Sequence, residues 1–474
     1  MDAKLPEFLA PGVQAVAQTA HFIGIHGAGM RSLSRLLAGF GWEVTGSDPM
    51  LASSSAGRFQ LHAPDNVPEH ADVVVCSDAI AADHCERQRA AELGIETISY
   101  ADMLGRLMLD RTGVAVAGTH GKSTVTAMTG EILLAAGLDP SIVVGAEPIA
   151  CQRSGRAGSS PLLVAEACEY RRNFLKLRPR CAAILNVEPD HFDCYAQVDE
   201  LTDAFGQFAA QVHMHGRLIV NEDSPRAVSA ARRADCPTET FGFEPSADWS
   251  PRFLLANNGF YDFDLCHQSR SLGRVRLRVA GRHQVANALA AAALAAAAGA
   301  HEEAILVGLS RFAGLERRLE LAGMPGGVNW IDDYAHHPTE VAAAIETLRE
   351  MMPISRLWCV FQPHQASRTA GLLEEFAETL RMTDRVAILD VFRAREGAPA
   401  PGEVTAADLA ERIRDLDGRV IDVHAADAVE QTLAEAIEVG ELTRGDIIIT
   451  MGAGDVGRIG AGLSKTFSTR RMAG

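Results

Sequence analysis

A short apolar run followed by a glycine-rich turn constrains the fold of this chain more than any other stretch. Residues 114–117 predict a buried strand, residues 118–124 (GTHGKST) a turn, and residues 125–136 a helix. Gly118 and Gly121 would let the backbone turn tightly and point its N–H groups inward. The helix would present its positive N-terminal end to the same point. Together these elements predict a site for a phosphate group.

Two polar side chains strengthen this prediction, and one residue departs from the usual pattern. Lys122 supplies a full positive charge for a β- or γ-phosphate, and the Ser123 hydroxyl is a good ligand for Mg²⁺. The general pattern G-x-x-x-x-G-K-[ST] requires a glycine where this chain has Val116. The alternative is a glycine-rich turn with an exposed lysine. The order of strand, turn, GKS and helix favours the phosphate site.

Composition narrows the class of protein. The 474 residues suggest about three domains of roughly 150 residues each. A net charge of −17 argues against nucleic acid as a partner, since phosphate backbones are bound by clustered Lys and Arg. The nine cysteines are scattered without a CxxC pair, which favours a reducing, cytoplasmic location. The alanine-rich residues 285–300 are too short and weakly apolar for a membrane span and predict a core helix.

The N-terminal part begins with another strand, glycine turn and helix. Residues 21–30 (HFIGIHGAGM) lead into a helix over residues 31–40 and a strand over residues 43–47, which ends at Asp48. A βαβ start with an acid about 20 residues beyond the turn is typical of a dinucleotide site. His26 stands where the second glycine of G-x-G-x-x-G belongs. A nucleotide-binding turn and a purely structural turn therefore both remain open.

Candidate metal ligands follow two predicted strands of the middle part. A strand over residues 162–166 ends at Glu166, and one over residues 181–185 leads to His191. Residues just past parallel strands converge on the ligand crevice, so both can reach a metal held with Ser123. Taken singly, Glu166 is typical of a solvated acid at a strand end, and His191 is typical of a loop histidine that caps a turn. As a set with the phosphate loop, metal binding is favoured.

Two further polar segments leave alternatives open. His283, Gln284 and Asn287 share one face near the start of the alanine-rich helix, where they suit either a ribose or base edge or helix capping. Residues 332–337 (DDYAHH) hold two acids and two histidines but lack the HExxH spacing, so a zinc site and a polar surface loop are both open. Strands and helices alternate through this last part, which favours a Rossmann-like sheet.

Read together, these stretches resemble the Mur ligases, the ATP-dependent amide-forming enzymes that build the peptidoglycan stem peptide. The resemblance spans residues 21 to about 460 and is closest to members that join L-alanine to UDP-N-acetylmuramate. The motifs that carry it occur in family order: GIHGAGM, GTHGKST, VAEACE, NVEPDH, GRHQVAN, GLERRLE, IDDYAHHPTE, FQPHQASR and MGAGD.

The resemblance implies an α/β protein of three domains. A Rossmann-like domain over residues 1–111 would bind the UDP-sugar. A central domain over residues 112–320, with a P-loop ATPase-type and mostly parallel sheet, would bind ATP. A Rossmann-like domain over residues 321–474 would bind the amino acid. The implied cofactors are ATP and Mg²⁺, the partners are small molecules without nucleic acid or membrane insertion, and the protein is expected to be a monomer or homodimer.

The family pattern also implies roles for individual residues. Those expected around ATP are Gly118, Thr119, His120, Gly121, Lys122, Ser123, Thr124, His283, Asn287, Arg318 and Asp333. Those expected at the metal are Ser123, Glu166 and His191. Those expected to contact the UDP moiety are Gly24, Gly27, Gly29 and His62, with Arg368 at the alanine carboxylate. Those expected in catalysis are Lys122, Arg318, His336 and His364.

Some positions depart from the family pattern. His26 and Ser32 stand where glycine is usual, residues 168–171 (CEYR) replace DESD, Gln284 replaces asparagine, and residues 365–366 (QA) replace RY. These changes bear on recognition of the sugar nucleotide and the amino acid and leave the phosphate loop, the metal set and Arg368 in place.

The implied reaction activates the lactyl carboxylate of UDP-N-acetylmuramate as an acyl phosphate, which the amine of L-alanine then attacks. One alternative is a sister ligase that attaches a preformed peptide to the same sugar nucleotide. The N-terminal βαβ unit leaves a dinucleotide-dependent oxidoreductase as a second alternative, and a non-catalytic nucleotide-binding regulator is a third.

Overall fold

A computed structural model describes residues 18–51, 58–150, 154–394, 396–397, 399–422 and 424–473. Strands and helices alternate through three largely parallel sheets, one after another along the chain. The predicted α/β class is therefore confirmed. We refer to the parts built on these sheets as the N-terminal, central and C-terminal units.

The N-terminal unit contains a five-stranded sheet in the order β3-β2-β1-β4-β5, with every strand pair parallel. Its strands are β1 (Thr19–Ile23), β2 (Glu43–Ser47), β3 (Phe59–Gln60), β4 (Val73–Cys76) and β5 (Thr97–Ser99). Its helices are α1 (Ala28–Gly39), α2 (Cys85–Glu92) and α3 (Tyr100–Leu109).

The central unit contains a ten-stranded sheet in the order β15-β14-β13-β12-β11-β10-β6-β9-β7-β8. Its strands are β6 (Thr112–Ala117), β7 (Ser141–Val143), β8 (Gly155–Arg156), β9 (Leu162–Ala167), β10 (Cys181–Ile184), β11 (Arg217–Asn221), β12 (Thr238–Phe241), β13 (Trp249–Asn257), β14 (Phe260–His267) and β15 (Arg270–Arg276). Its helices are α4 (Lys122–Ala135), α5 (Val198–Ala209), α6 (Pro225–Ala231), α7 (Arg282–Ala297) and α8 (Glu302–Arg311). The strands around β6 are parallel, and the β13–β15 edge is antiparallel.

The C-terminal unit contains a six-stranded sheet in the order β16-β17-β21-β18-β19-β20, parallel except at its β16 edge. Its strands are β16 (Glu320–Gly323), β17 (Asn329–Asp333), β18 (Leu357–Phe361), β19 (Arg385–Ile388), β20 (Val420–Ile421) and β21 (Ile447–Met451). Its helices are α9 (Pro338–Met351), α10 (Ala366–Gly371), α11 (Leu373–Leu380), α12 (Ala406–Asp415), α13 (Ala426–Glu438) and α14 (Gly457–Ala473).

The alanine-rich helix α7 is a core element, as its composition predicts. Its side chains are buried on nearly all sides, and small alanine side chains let it lie close to α4 and the central sheet. Among the described residues, no helix combines the length and apolar character needed to cross a lipid bilayer.

The antiparallel edge of the central sheet differs from its prediction. The sequence predicts short strands over residues 241–243, 260–263 and 275–279. Beside this edge β12 ends at Phe241, whereas in the edge itself β14 covers residues 260–267 and β15 covers residues 270–276. The long strand β13 has no predicted counterpart because most of its side chains past Ser250 are partly or fully exposed. A strand without a buried face lacks the alternation of apolar and polar residues by which a strand is predicted from sequence.

The N-terminal unit packs on the edge of the central sheet through α1. Ser32 is buried there: its hydroxyl donates to the carbonyl oxygen of Ser154 at 2.7 Å and accepts the N–H of Val144 at 3.2 Å. The serine that replaces a family glycine is thus a hydrogen-bonding contact between two units.

Candidate functional site

The loop between β6 and α4 has the tight turn that its glycines predict. Gly118 has φ +152° and Gly121 has φ +82°. A Cβ atom at Gly121 would lie 2.7 Å from Oδ1 of Asn287, and one at Gly118 would lie 2.9 Å from Cβ of Leu185. Only glycine meets both the dihedral and the space requirement here. The free N–H groups of the first turn of α4 therefore face the end of β6.

Lys122 lies at the first turn of α4 and is paired with Glu169, a residue that the sequence analysis did not single out. Its Nζ atom lies 3.0 Å from Oε2 of Glu169 and 3.1 Å from the carbonyl oxygen of Thr119. The Glu169 side chain is only 1% exposed. Burial opposes the charge of Lys122, but the Glu169 carboxylate outweighs burial and raises the lysine pKa.

Glu169 also connects Lys122 to His191. Oε1 of Glu169 lies 3.2 Å from Nε2 of His191, and both belong with Asp190 to a group whose ligand atoms all lie within 4.8 Å of one another. Burial would raise the pKa of Glu169, yet Lys122 and His191 lower it. The carboxylate is therefore negative at neutral pH.

The predicted metal ligands are only partly gathered. Ser123 lies buried beside Lys122 at the start of α4, whereas Glu166 lies outside the Glu169–Asp190–His191 group and accepts the N–H of Gly145. Nδ1 of His191 is buried and has no hydrogen-bond partner among the described residues. The other ring nitrogen, Nε2, lies 3.2 Å from Oε1 of Glu169 and 3.8 Å from Oδ2 of Asp190. Two carboxylates and an imidazole nitrogen within this distance are a donor set that a divalent cation would satisfy. The residues present therefore fit Mg²⁺, with Glu169 and Asp190 as additional ligands.

A cleft between the central and C-terminal units collects residues that are far apart in sequence. The predicted nucleotide-contacting residues that line it are His120, Gly121, Thr124, His283, Asn287, Arg318 and Asp333. It is also lined by Asn186, Glu188, Thr339 and Glu340, which were not predicted from the sequence. The remaining predicted residues of the loop, 118, 119, 122 and 123, adjoin it in the chain.

The segment at the start of α7 faces this cleft. Burial, with the nearby Arg318 guanidinium, lowers the pKa of His283 to about 4, so its imidazole is neutral. Gln284 accepts a hydrogen bond from the Asn287 side-chain amide at 3.1 Å and lies 3.1 Å from Nε2 of His283. Neutral, mutually oriented polar groups in a cleft suit recognition of a base or ribose. Burial raises the pKa of Asp333, on the opposite wall, to about 6.

Glu340, in the first turn of α9, links the phosphate loop to the C-terminal unit. Its carboxylate lies 3.3 Å from Nδ1 of His120, 3.2 Å from Nδ1 of His336 and 3.7 Å from the Arg318 guanidinium. Burial opposes its charge, but these cationic and hydrogen-bonding neighbours hold the pKa of Glu340 well below its usual range. Only the i, i+4 spacing from His336 signals this role in the sequence.

Arg368 is brought together with His336 and His364, as predicted, but it already has a carboxylate partner. Its Nε and Nη2 atoms each lie 2.8 Å from Oδ1 of Asp190, and Nη1 lies 2.6 Å from Nδ1 of His364. The Arg368 and Asp190 side chains are 2% and 4% exposed. Burial lowers the pKa of His336 to about 4, and Arg368 adds to this effect. A neutral imidazole and a buried guanidinium thus lie side by side.

The residues predicted to contact the UDP moiety form a separate group at the carboxyl edge of the first sheet. Gly24 turns with φ +82°, Gly27 precedes α1, and Gly29 lies in its first turn against Tyr100. Nδ1 of His62 lies 2.8 Å from the hydroxyl of Ser47 at the end of β2.

The acid expected of a dinucleotide site is used within the fold. Oδ2 of Asp48 accepts the backbone N–H of His26 at 2.9 Å, and Asp48 is only 6% exposed. Oδ1 accepts the N–H of Met50 at 2.9 Å, so both carboxylate oxygens already have partners, and burial of the side chain hinders access by a ribose hydroxyl. These contacts argue against the oxidoreductase alternative.

Comparisons with known proteins agree with the motifs. Three family models match: "Mur ligase family, catalytic domain" over residues 19–112, "Mur ligase middle domain" over residues 116–295, and "Mur ligase, glutamate ligase domain" over residues 317–454. A UDP-N-acetylmuramate–L-alanine ligase of Clostridium novyi is 37% identical over 448 residues, which cover 93% of this chain and 96% of that protein.

Two crystal structures share the fold. UDP-N-acetylmuramate–alanine ligase from Thermotoga maritima has a TM-score of 0.76 at 23% identity, covering 96% of this chain and 99% of that chain. A murein peptide ligase from Psychrobacter arcticus has a TM-score of 0.72 at 24% identity, covering 95% of this chain and 99% of that chain.

Proposed function

The chain belongs to the Mur ligase family, and from that premise we propose that it joins L-alanine to the lactyl carboxylate of UDP-N-acetylmuramate. ATP would be cleaved to ADP and phosphate, and the product would serve peptidoglycan precursor synthesis. Similarity along 93% of the chain to a ligase of that name supports this choice over the peptide-attaching sister ligase. We also propose a cytoplasmic location, which suits an enzyme that uses ATP and a nucleotide sugar.

The observation that carries the proposal is the cleft between the central and C-terminal units. Residues of the phosphate loop line it together with Arg318 and Glu340. Glu340 in turn contacts His336, a neutral histidine that lies near the buried Arg368. An acid can be activated on one side of such a cleft and met by an amine from the other.

In the first step, an oxygen of the lactyl carboxylate attacks the γ-phosphorus of ATP, and ADP leaves. Lys122 and the free N–H groups of α4 would hold the β- and γ-phosphates, and Arg318 would face the transferred phosphoryl group. Glu169, Asp190 and His191, with Ser123 nearby, would hold Mg²⁺, which when bound neutralises phosphate charge. His283, Asn287 and Asp333 would hold the adenosine.

In the second step, the amine of L-alanine attacks the acyl carbon, the new C–N bond forms, and phosphate leaves. Neutral His336 would accept the proton that the amine loses. Arg368 and His364 would orient the alanine carboxylate. Because Asp190 now occupies the guanidinium of Arg368, the substrate carboxylate would have to share or replace that contact.

Phosphate release from ATP in the presence of UDP-N-acetylmuramate, with one candidate amino acid at a time, tests the proposal. L-alanine should support release, and Lys122→Ala should abolish it. The matched control is Lys176→Ala, which removes an exposed lysine paired with Asp102 on the surface.

Three results would contradict the proposal. Release with a preformed peptide and not with alanine would identify the sister ligase. ATP binding without any phosphate release would identify a regulator. Equal activity in the two lysine variants would remove the phosphate loop from the reaction.

A further inference from the structure

A second cluster of side chains lies at the contact between the central and C-terminal units, and two of its members line the nucleotide cleft. It consists of His120, Glu188 and His337, whose ligand atoms all lie within 4.8 Å of one another. We propose that these three side chains bind a transition-metal ion of the zinc type, which clamps the two units together.

The distances between the donor atoms suit a shared ion. Nε2 of His120 lies 3.3 Å from Oε2 of Glu188, and Nδ1 of His337 lies 3.8 Å from the same oxygen. Tetrahedral ligands held about 2.0–2.2 Å from zinc lie about 3.4 Å from one another. Small side-chain shifts therefore bring all three atoms to ligand distance.

Each histidine has the outer partner that metal-bound histidines usually have. The second ring nitrogen of His120, Nδ1, faces the Glu340 carboxylate at 3.3 Å. The second ring nitrogen of His337, Nε2, lies 3.1 Å from the carbonyl oxygen of Pro189, which can only accept a hydrogen bond. A carboxylate or carbonyl at this position favours a proton on the outer nitrogen. Burial opposes the charge of His120, but Glu188 and Glu340 raise its pKa to about 9, so the ion would replace the proton on Nε2.

The remaining contacts agree with this assignment. Nδ1 of His337 accepts the N–H of Thr339 at 3.3 Å, so this nitrogen carries no proton, and the ion would take the lone pair that now caps α9. The hydroxyl of Thr339 donates to Oε2 of Glu188 at 2.6 Å, as an outer hydrogen bond to a ligating carboxylate does. The Glu188 side chain is 31% exposed, which leaves an entry path and an open fourth position.

The donor set selects the kind of ion. Two imidazole nitrogens and one carboxylate suit Zn²⁺ and similar transition metals, whereas Mg²⁺ prefers oxygen ligands in an octahedron. His120 and Glu188 belong to the central unit, and His337 precedes α9 of the C-terminal unit. An ion bound to all three therefore links the units.

Zinc titration of the full chain against a chromophoric chelator, without nucleotide or substrate and in excess Mg²⁺, tests the proposal. One site should bind zinc despite the Mg²⁺. His337→Asn, which keeps an oxygen for capping α9, should weaken binding at least about tenfold, and so should Glu188→Gln. His213→Asn, which removes an exposed histidine elsewhere in the central unit, should leave binding unchanged.

Several results would overturn the assignment. Unchanged affinity in both His337→Asn and Glu188→Gln would do so, as would displacement of zinc by Mg²⁺. Loss of binding in His191→Asn, alone or together with the other variants, would place the ion at the neighbouring cluster instead. Circular dichroism of each metal-free variant checks folding. If His337→Asn does not fold, the zinc affinity of Glu188→Gln provides the test. No substrate is used, so the outcome is independent of the proposed reaction.

Discussion

The ion pair between Asp190 and Arg368 should be the strongest single polar contact between the central and C-terminal units. Both side chains are almost fully buried, and two guanidinium nitrogens donate to the same carboxylate oxygen at 2.8 Å. Asp190→Asn keeps the shape and one acceptor oxygen but removes the charge. The guanidinium would then remain buried without a counter-charge.

Removing one partner of a buried ion pair costs about 3–5 kcal/mol. We expect the lower end, about 3 kcal/mol, because the asparagine oxygen still accepts hydrogen bonds. For a domain of about 150 residues this corresponds to a fall in Tm of roughly 6–12 °C for the C-terminal unit. Differential scanning calorimetry of the full chain, with and without the substitution, measures this shift.

Glu374→Gln is the matched control. It also removes a carboxylate that Arg412 contacts at 2.8 and 2.9 Å, but both of these side chains are exposed, and such pairs contribute about 0–1 kcal/mol. If Asp190→Asn lowers the Tm no more than Glu374→Gln does, the buried Asp190–Arg368 pair is no more stabilising than an exposed pair, and the reasoning from burial is wrong.

The pH dependence gives a second check on Asp190. Burial would raise its pKa, but His191 and Arg368 outweigh burial and hold it far below the usual range. A carboxyl group with a lowered pKa stabilises the fold above its unfolded pKa and loses this effect as the pH falls through the folded pKa. The Tm difference between parent and Asp190→Asn should therefore be constant from about pH 5 to 8 and shrink only below about pH 4.

Three further predictions follow from buried or crowded positions. Hydrogen bonds outweigh burial and lower the pKa of Glu86 to about 2. Glu86→Gln should therefore lower the free energy of unfolding in urea by about 3 kcal/mol at pH 7, and by progressively less as the pH falls from 4.5 toward 2. A loss that does not change with pH would contradict this. A Cβ atom at Gly155 would lie 1.9 Å from the carbonyl oxygen of Ser32, so Gly155→Ala should loosen the N-terminal unit and speed proteolysis at its boundary, whereas Gly397→Ala, in open space, should not. Gly121→Ala should lower phosphate release by about tenfold or more with an unchanged circular dichroism spectrum, because φ +82° costs a non-glycine residue about 1–2 kcal/mol; full activity would refute the required turn.

The sequence was sufficient to predict those elements whose structure depends on residues that are neighbours in the chain. The apolar run of β6, the glycines of the turn and the buried helix α7 all follow from local pattern. The start of α4 was predicted three residues late, at residue 125, because its first turn is polar. In the proposed function this turn holds phosphate, which polar residues suit, so the predicted start is wrong at the proposed site itself.

The partners of the site residues could not be read from local pattern. Glu169 is separated from Lys122 by 47 residues, and Asp190 from Arg368 by 178. In the sequence both carboxylates resemble ordinary acids near strand ends. Glu169 gains its partners from distant parts of the central unit, and Asp190 gains Arg368 from the C-terminal unit. Glu340 is similar, since its contact with His120 joins the second unit to the third.

These missed carboxylates suggest how the site changes when it binds substrate. In the structure described here, Lys122 is neutralised by Glu169 and Arg368 by Asp190. Anionic phosphates and carboxylates would have to compete with both acids in a chain of net charge −17. A cation held by Glu169, Asp190 and His191 would remove this competition, leaving Lys122 available for phosphate and weakening the hold of Asp190 on Arg368. ATP affinity should therefore rise steeply with Mg²⁺ in the parent and much less in Glu169→Gln, in which Lys122 has no competing charge; equal Mg²⁺ dependence by calorimetric titration would exclude this coupling.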